Sequence, residues 1–228
     1  MAKSEILKKL KRGLIVSCQA LPDEPLFSPF IMSRMAYAAM EGGASGIRAN
    51  SGVDISEIKK IVDLPIIGLR KKSYDDSSVF ITPTMLEVEE IINSGVDIIA
   101  TDATSRLRPN GKTLDDFVEE LKNMNTSVLL MADCSTYEEG IRAQELGFDI
   151  VGTTLNGYTD YTKNDPVPNY QLIENLSKDI SIPVFAEGGI WSPDQLASAF
   201  SSGAYAVVVG AAITRPQCIT RRFADAIC

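Results

Sequence analysis

The chain has 228 residues, of which 45% are hydrophobic and 23% are charged, a balance typical of a globular protein with a core of its own. Its formal net charge of −8 argues against a protein that coats nucleic acid, although it does not exclude one local anion site. Histidine is absent, which excludes hydrolases with a catalytic histidine, histidine-ligated metal sites and histidine general bases.

Residues 1–12 predict a short amphipathic helix with Ile6, Leu7 and Leu10 on one face. The segment is basic, but neither an apolar run nor a small-residue cleavage site follows it, so we expect no secretory signal; a mitochondrial presequence is the alternative. The four cysteines, at positions 18, 134, 218 and 228, form no CxxC pair. We therefore expect reduced thiols and a cytoplasmic protein.

From residue 14 onward, strand-like and helix-like segments alternate. The eight strand candidates are short, nearly all apolar and rich in valine and isoleucine, which is typical of parallel strands covered on both faces. They are Leu14–Ala20, Gly46–Asn50, Pro65–Lys71, Ile98–Thr104, Val128–Cys134, Ile150–Leu155, Pro183–Gly188 and Ala206–Gly210. The helical patterns are Phe30–Glu41, Asp54–Val62, Thr84–Ser94, Leu114–Met124, Tyr137–Leu146, Tyr170–Lys178, Pro193–Ser202 and Thr220–Ile227. No apolar run approaches the roughly 20 residues of a membrane helix, so we expect no membrane partner.

Four of the helices end in a repeated pattern in which a glycine precedes the next strand. These glycines, at positions 43, 95, 147 and 203, are separated by 52, 52 and 56 residues, so each quarter of the chain holds two strand–helix units. Eight such units predict an α/β fold, a (β/α)8 TIM barrel in one domain spanning residues 1–228, with the N-terminal helix (1–12) closing the barrel bottom. A doubly wound open sheet is the alternative, but its GxGxxG turn is missing after the first strand.

Polar residues at the carboxyl ends of the strands are the candidates for chemistry, because the active site of such a barrel lies there. In chain order they are Ser17, Gln19, Arg48, Asn50, Lys71, Asp102, Asp133, Thr153, Thr154 and Glu187. An isolated serine or threonine at a strand end is usually a turn or helix cap. A charge buried without a partner costs several kcal/mol, so the charged residues of this set must pair or serve a ligand. A mutually neutralising structural network is the alternative.

Two glycine-containing loops after the last two strands indicate a phosphate site. Gly188 and Gly189 follow strand seven, and Gly210 and Ala211 follow strand eight, just before Arg215. Such loops let backbone N–H groups approach phosphate oxygens at a helix start, and they are the usual phosphate seat in this class of barrel. Arg215 can add a charge-assisted contact. Tight turns that need glycine for conformational reasons alone are the alternative.

Lys71 is the candidate base. Strand alternation places Ile67, Leu69 and Lys71 on one face, with Arg70 and Lys72 on the other. If Lys71 faces the barrel interior, burial and nearby cations such as Arg48 would bring its pKa from about 10.4 toward 7–8, where an amine acts as a general base. A lysine that forms a Schiff base, as in aldolase-type barrels, is the alternative.

Seven stretches of the sequence resemble the N-acetylmannosamine-6-phosphate 2-epimerase family. They are residues 13–22 (GLIVSCQALP), 43–50 (GASGIRAN), 102–104 (DAT), 131–133 (MAD), 152–159 (GTTLNGYT), 186–188 (AEG) and 210–216 (GAAITRP). They run through strands one to eight in order. The resemblance implies a bacterial barrel enzyme of sialic acid breakdown, of the ribulose-phosphate-binding type, that interconverts N-acetylmannosamine 6-phosphate and N-acetylglucosamine 6-phosphate without metal or nucleotide.

The resemblance also implies roles for individual residues. Carried over by position, Lys71 moves the C2 proton and Glu187 is its carboxylate partner. The residues that hold the sugar and its N-acetyl arm would be Gln19, Arg48 and Asp133, together with the strand-end Thr153, and the phosphate would lie at Gly188, Gly189, Gly210, Ala211 and Arg215. Homodimers are common in the family, so we expect a homodimer.

Two positions depart from the family pattern. Lys71 is followed by Lys72 and Ser73 where relatives carry arginine and aspartate, which leaves Lys72 as an alternative functional lysine. Asn156 stands where relatives carry histidine, so a histidine contact there cannot be essential. Three other functions stay open on the residues alone: another phosphate-binding barrel isomerase or decarboxylase, a Schiff-base aldolase, and a non-catalytic sugar-phosphate sensor.

Overall fold

The computed structural model describes residues 2–124 and 127–227. Eight parallel strands close into a barrel in sequence order, and β8 pairs with β1 through the register Leu14↔Val207. The strands are β1 (Leu14–Cys18), β2 (Gly46–Asn50), β3 (Ile66–Leu69), β4 (Ile98–Asp102), β5 (Leu129–Asp133), β6 (Ile150–Gly152), β7 (Val184–Glu187) and β8 (Ala206–Val209). The predicted TIM barrel is confirmed, and the closed β8–β1 pairing excludes the open doubly wound sheet.

Helices follow the strands and cover the outside of the barrel. The helices of the described residues are α1 (Lys3–Leu10), α2 (Pro29–Glu41), α3 (Gly52–Lys59), α4 (Met85–Asn93), α5 (Leu114–Asn123), α6 (Tyr137–Glu145), α7 (Tyr170–Asp179), α8 (Pro193–Ser201), α9 (Ala211–Thr214) and α10 (Pro216–Ala224), with a 3-10 turn at Pro109–Gly111. The predicted helices agree within three residues except the last, predicted at 220–227. That helix begins at Pro216, because proline fits the first position of a helix. The short α9 was not predicted.

The glycine repeat marks the ends of four of these helices, as predicted. Gly43, Gly95, Gly147 and Gly203 have φ values of 95°, 76°, 85° and 100°. A side chain is strained in this left-handed conformation, so glycine is the residue that lets the chain turn from a helix back into the next strand.

Seven of the eight predicted strands are too long at their carboxyl ends by one to three residues, whereas β2 ends at Asn50 as predicted. The ladder of β3 stops at Leu69 and that of β6 at Gly152, so Lys71 and Thr153 lie just beyond it. Lys71 is still held in place, since its backbone N–H donates to Asn50 Oδ1 at 2.7 Å and it forms an isolated antiparallel bridge with Ile81. Residues that extend past the ladder in this way surround the mouth of the barrel.

One apolar cluster fills the barrel interior. It comprises Ile15, Ile67, Leu69, Ile98, Ala100, Leu129, Met131, Ile150, Phe185, Ala206 and Val208 from the strands, Ile81 and Leu155 from loops, and Ile6 and Leu10 from α1. Every second residue of each strand points inward, so the next inward positions lie in a layer above this cluster. On β2 that position is Arg48, on β5 Asp133 and on β7 Glu187. The barrel interior therefore has two parts: this apolar cluster, called the apolar plug below, and a charged layer of Arg48, Asp133 and Glu187 above it, at the carboxyl ends of the strands.

Helix α1 contributes Ile6 and Leu10 to this interior cluster at the amino ends of the strands. Leu10 is fully buried, and the Tyr205 hydroxyl donates to the Leu7 carbonyl at 2.9 Å. Residues 1, 125, 126 and 228 lie outside the described residues, so the assignment of residues 1–228 to one domain stays a prediction. None of the helices in the described segments has the length and apolar character needed to cross a bilayer.

Candidate active site

A cavity of about 260 Å³ opens at the carboxyl ends of the strands. Its walls include most of the residues that sequence reasoning selected: Gln19, Arg48, Lys71, Glu187, Gly188, Gly189, Gly210, Ala211 and Arg215. Further lining residues are Ser17, Phe80, Ile81, Thr154, Leu155, Tyr158, Ile190, Trp191, Val208 and Thr214. The closed barrel thus brings together residues from six of its eight sectors, those of β1, β2, β3, β6, β7 and β8.

Lys71 reaches this cavity from the end of β3. Burial, followed by the nearby cations of Arg48 and Arg215, lowers the pKa of its amine to about 8, against the opposing effect of Glu187 and Asp133. A substantial fraction of the Lys71 amines is therefore neutral near pH 8. An amine in this state can accept a proton from a carbon acid.

Arg48 lies in the centre of the charged layer with its side chain 1% exposed. Its Nη1 and Nη2 donate to the two carboxylate oxygens of Asp133, at 3.1 and 2.6 Å, and Nη1 lies 3.1 Å from Glu187 Oε2. Burial alone would lower the pKa of Arg48, but the two carboxylates more than offset this and raise it. The network therefore holds a permanent cation between two carboxylates. The alternative of a purely structural network does not account for the cavity on which Arg48 and Glu187 open.

Glu187 is the carboxylate of this network that reaches the cavity. Burial raises the pKa of its carboxyl group; Arg48 counteracts the rise, and the charge of Asp133 adds to it. Two carboxylates share one guanidinium here, so the layer has more acid groups than its cation neutralises. Glu187 is therefore the group of this layer that faces the cavity and holds a proton more readily than a free carboxylate does.

Asp133 and Thr153 do not line the cavity. Asp133 is fully buried beneath it, where it orients Arg48, and the Thr153 hydroxyl exchanges hydrogen bonds with the backbone carbonyl and N–H of Glu187 at 3.0 and 3.1 Å. These contacts leave the Thr153 side chain away from the space a substrate would fill. Thr154 lines the cavity in its place. Strand alternation could have selected it, because positions 150, 152 and 154 point inward on β6.

Gln19 enters the cavity with its amide fixed in one orientation. Its Nε2 donates to Ser17 Oγ at 2.8 Å, while Oε1 is buried without a partner among the described residues. A buried acceptor left unsatisfied is costly. Gln19 Oε1 is therefore ready to accept a hydrogen bond from a ligand.

The predicted phosphate residues form one side of the cavity. No acceptor within residues 2–124 and 127–227 is bonded to the backbone N–H groups of Gly189, Gly210 or Ala211. Gly188 and Gly189 have positive φ values, 114° and 66°, and a Cβ on Gly189 would lie 2.7 Å from the carbonyl oxygen of Val167. Glycine is thus needed for conformation and for space, and the resulting loop presents unpaired donors to the cavity.

Arg215 lies at the edge of these glycine-containing loops, where it is held by Glu24, a residue that the sequence did not indicate. Its Nε lies 2.7 Å from Glu24 Oε1, and its Nη2 donates to Glu24 Oε2 at 3.0 Å and to the Gln19 carbonyl at 3.2 Å. The Nη1 amino group takes part in neither contact. Arg215 is therefore oriented by the β1–α2 loop and can donate to an anion through Nη1.

The structure separates Lys71 from the alternative lysine, Lys72. The Lys72 ammonium lies 3.1 Å from Glu87 Oε1 and over the Tyr74 ring, away from the cavity. Asn156, at the other unusual position, is also outside the cavity; its Nδ2 donates to the Ser135 carbonyl and to Asp165 Oδ2 at 2.9 and 2.8 Å. It fastens the β6–α7 loop instead of facing a ligand.

The fold, together with an amine and a carboxylate that face one cavity at the catalytic end of the strands, defines a (β/α)8-barrel enzyme. A family model described as "Putative N-acetylmannosamine-6-phosphate epimerase" matches residues 32–228. The chain therefore belongs to this family, and the resemblance seen in the seven sequence stretches is confirmed.

Curated relatives and a solved structure agree with this assignment. The chain is 54% identical to relatives from Caldanaerobacter subterraneus subsp. tengcongensis, over 96% of the chain and 92% of the relative, and from Clostridioides difficile, over 97% and 99%. Both carry the name "Putative N-acetylmannosamine-6-phosphate 2-epimerase". The solved N-acetylmannosamine-6-phosphate 2-epimerase from Clostridium perfringens is 53% identical, with a TM-score of 0.92 over 97% of this chain and 96% of that one. A thiamine phosphate pyrophosphorylase from Pyrococcus furiosus, 17% identical with a TM-score of 0.63, shares the fold alone.

Proposed function

We propose that the protein is an isomerase that interconverts N-acetylmannosamine 6-phosphate and N-acetylglucosamine 6-phosphate by moving a proton at C2. The observation that carries the proposal is the placement of Lys71, whose amine has a pKa of about 8, in one cavity with Glu187 and the glycine-lined loops. Family membership gives the substrate class, since relatives at 54% identity carry the name of this epimerase.

The chemistry at C2 explains why both an amine and a carboxyl group are needed. The C2 hydrogen is acidic only when C1 is an aldehyde, so the sugar ring must open before a base can remove it. Neutral Lys71 accepts this proton, and the resulting enolate is stabilised by the fixed positive charge of Arg48. Glu187 supplies the proton that returns to the opposite face of C2 or that moves between the sugar oxygens. Because one proton enters and one leaves, the reaction requires no redox cofactor.

Binding of the phosphate places C2 against the base. The unpaired N–H groups of Gly189, Gly210 and Ala211 and the guanidinium of Arg215 would hold the phosphate at one side of the cavity, beside Gly188. Gln19 Oε1 is an acceptor for a hydroxyl or for the amide N–H of the N-acetyl arm. The energy of these remote contacts is then available to orient the reacting carbon.

Isotope exchange tests the proposal directly. The wild-type protein, supplied with N-acetylmannosamine 6-phosphate in D2O, is expected to give N-acetylglucosamine 6-phosphate with deuterium at C2, as measured by NMR. Lys71→Ala removes the base and is expected to reduce both epimerisation and exchange by at least about 100-fold. Lys72→Ala, which changes the adjacent lysine outside the cavity, is the matched control and should retain wild-type exchange.

Other outcomes would favour other functions. Full activity of Lys71→Ala would remove the proton transfer from Lys71. Trapping of substrate on Lys71 by borohydride would indicate a Schiff-base aldolase, and tight binding without exchange would indicate a sugar-phosphate sensor. The sequence similarity to relatives named as epimerases does not favour these alternatives.

We also infer that the protein acts as a homodimer in the cytoplasm. Helix α10 buries none of its residues, and Phe223 on this helix is 74% exposed, which supports a second copy covering that face. A charged sugar phosphate does not cross membranes unaided, which supports a cytoplasmic enzyme. Sedimentation equilibrium at micromolar concentration and fractionation of cells test the two inferences; a monomer would contradict the first.

A further inference from the structure

Thr154 is the lining residue that connects the two carboxylates of the charged layer. Its Oγ1 lies 2.6 Å from Asp133 Oδ1 and 3.1 Å from Glu187 Oε2. Gly152 gives it room, because a Cβ there would lie 3.1 Å from the Thr154 hydroxyl and 2.5 Å from the terminal methyl of Met131. The hydroxyl is thus wedged between two acid groups at hydrogen-bond distance from both.

A hydroxyl can donate only one hydrogen bond but can accept two. The shorter contact, to Asp133, is the one with the geometry of a donated bond to a carboxylate. Asp133 then receives three hydrogen bonds, one from Thr154 and two from Arg48. Such saturation favours the ionised form of a buried carboxyl group. Asp133 is therefore the hydrogen-bond acceptor of the pair.

In the remaining contact, between Thr154 and Glu187, the Thr154 hydroxyl must be the acceptor. With its proton given to Asp133, Thr154 Oγ1 can meet Glu187 Oε2 favourably only as an acceptor, which requires a proton on Glu187. A deprotonated Glu187 would instead face a hydroxyl lone pair at 3.1 Å. The burial that raises the pKa of Glu187 acts in the same direction.

We propose that Thr154 is a positioning residue that places the proton shared by Asp133 and Glu187 on Glu187. The inference rests on the proposed function, and it deepens it by stating how one of two neighbouring carboxyl groups becomes the proton carrier. The charged groups that face this pair are Arg48 from β2 and Lys71 from the end of β3. These groups are unchanged when Thr154 is replaced, so a Thr154 variant isolates the hydroxyl.

Replacement of the hydroxyl tests this role. Thr154→Val keeps the shape of the side chain but removes both hydrogen bonds, whereas Thr154→Ser keeps them. When Glu187 is protonated, Thr154→Val loses both hydrogen bonds; when Glu187 is ionised, it loses only the bond to Asp133. The pKa of Glu187 should therefore fall in Thr154→Val, and the acid limb of the profile of activity against pH should move to lower pH. We expect kcat to fall about 10- to 100-fold with KM within about twofold, and Thr154→Ser to restore both kcat and the acid limb.

Thr113→Val is the matched control, since Thr113 caps α5 far from the cavity. It makes the same chemical change and should lower the melting temperature without moving the pH profile. An unchanged acid limb in Thr154→Val, an effect confined to KM, or a failure of Thr154→Ser to restore activity would overturn the proposal. If Thr154→Val does not fold, Thr154→Ala makes the same deletion at this half-buried position.

Infrared difference spectra of the free enzyme give a second test that needs neither substrate nor a Thr154 variant. We expect a protonated-carboxyl band that titrates with the acid limb, disappears in Glu187→Gln and persists in Asp133→Asn. A band that disappears in Asp133→Asn, or no such band, would overturn the proposal. A wild-type enzyme that showed the expected band but did not epimerise would contradict the proposed function and leave the proton placement supported.

Discussion

Arg48 is the residue that determines the charge balance of the site. It is buried with its side chain 1% exposed, and a guanidinium in that position is tolerated only because two carboxylates lie within 3.1 Å of it. The same cation disfavours a proton on Lys71, which lies in the same cavity. One residue thus anchors the acids and helps to tune the base.

The reaction therefore depends on the number of protons that Lys71 and Glu187 hold together. The productive form holds one proton on this pair, since one group must accept and the other must donate. Below the pKa of Glu187 both groups are protonated, and above about pH 8, the pKa of Lys71, neither is. We expect a bell-shaped profile of kcat/KM whose alkaline limb falls near pH 8.

Arg215→Gln tests this electrostatic coupling. Arg215 is one of the cations that lower the pKa of Lys71, so its removal should move the alkaline limb to higher pH. Loss of its charged contact with the phosphate should also raise KM by about 10- to 100-fold. Profiles of kcat/KM against pH for the variant and the wild type check both effects. A raised KM with an unmoved alkaline limb would show that Arg215 binds the phosphate without tuning Lys71.

The sequence revealed the charged residues of the site but not all of its uncharged ones. Lys71 and Glu187 interrupt apolar strands, so their charge alone marks them. Thr153 and Thr154 are chemically identical neighbours, and only the inward direction of β6 distinguishes them. Glu24 was not predicted as the partner of Arg215, because 191 residues separate the two and only barrel closure brings them together.

At the scale of the elements, the loops after β6 and β7 are built against each other. Gly189 has a φ of 66°, and a Cβ there would lie 2.5 Å from Val167 Cγ1 and 2.7 Å from the Val167 carbonyl carbon. Within the β6–α7 loop, Asn156 is bonded to Asp165 of the same loop and to Ser135 of the loop after β5. A side chain at position 189 would therefore displace the β6–α7 loop.

Gly189→Ala is expected to damage both the loop and the activity. A methyl group would be strained at positive φ and would collide with the Val167 backbone, so we expect a loss of about 2–4 kcal/mol in stability and a KM raised at least about tenfold. Gly111→Ala is the matched control: its φ is 70°, but a Cβ there meets nothing within 4 Å. It should cost only about 1 kcal/mol and leave KM unchanged. Equal costs from urea denaturation of the two variants would contradict the proposed collision.

The helices show how far local sequence signals reach. Thr84, Thr113 and Thr136 each form a capping box with an acidic residue three positions later, and all three helices begin within one residue of their predicted start. Helix α9 has four residues and no side-chain cap, so it left no periodic signal to find. Seven strand ends were overestimated because the sequence has no signal at the last ladder pair: β3, for example, is followed by Arg70 and Lys71 with no glycine or proline to mark its end.

At the scale of the whole molecule, the barrel separates stability from chemistry. The apolar plug and α1 occupy the amino ends of the strands, and the charged layer and the cavity occupy the carboxyl ends. Eight strands enclose just enough space for side chains to fill, so each half of the interior has its own composition. A change at the amino end should therefore alter the folding equilibrium and leave the proton transfer intact.

Leu10→Ala tests this separation. Leu10 is fully buried in the interior cluster, and its truncation should destabilise the protein by about 2–5 kcal/mol, while the folded enzyme keeps its kcat and KM. Leu7→Ala is the matched control, because Leu7 lies on the same helix but is only partly buried against that cluster, and it should cost clearly less. Urea denaturation gives the stabilities, and assays well below the unfolding transition give the kinetics. A fall in kcat of folded Leu10→Ala would show that packing in the apolar plug affects the positions of Lys71 and Glu187. Equal stability losses in the two variants would show that α1 does not close the barrel.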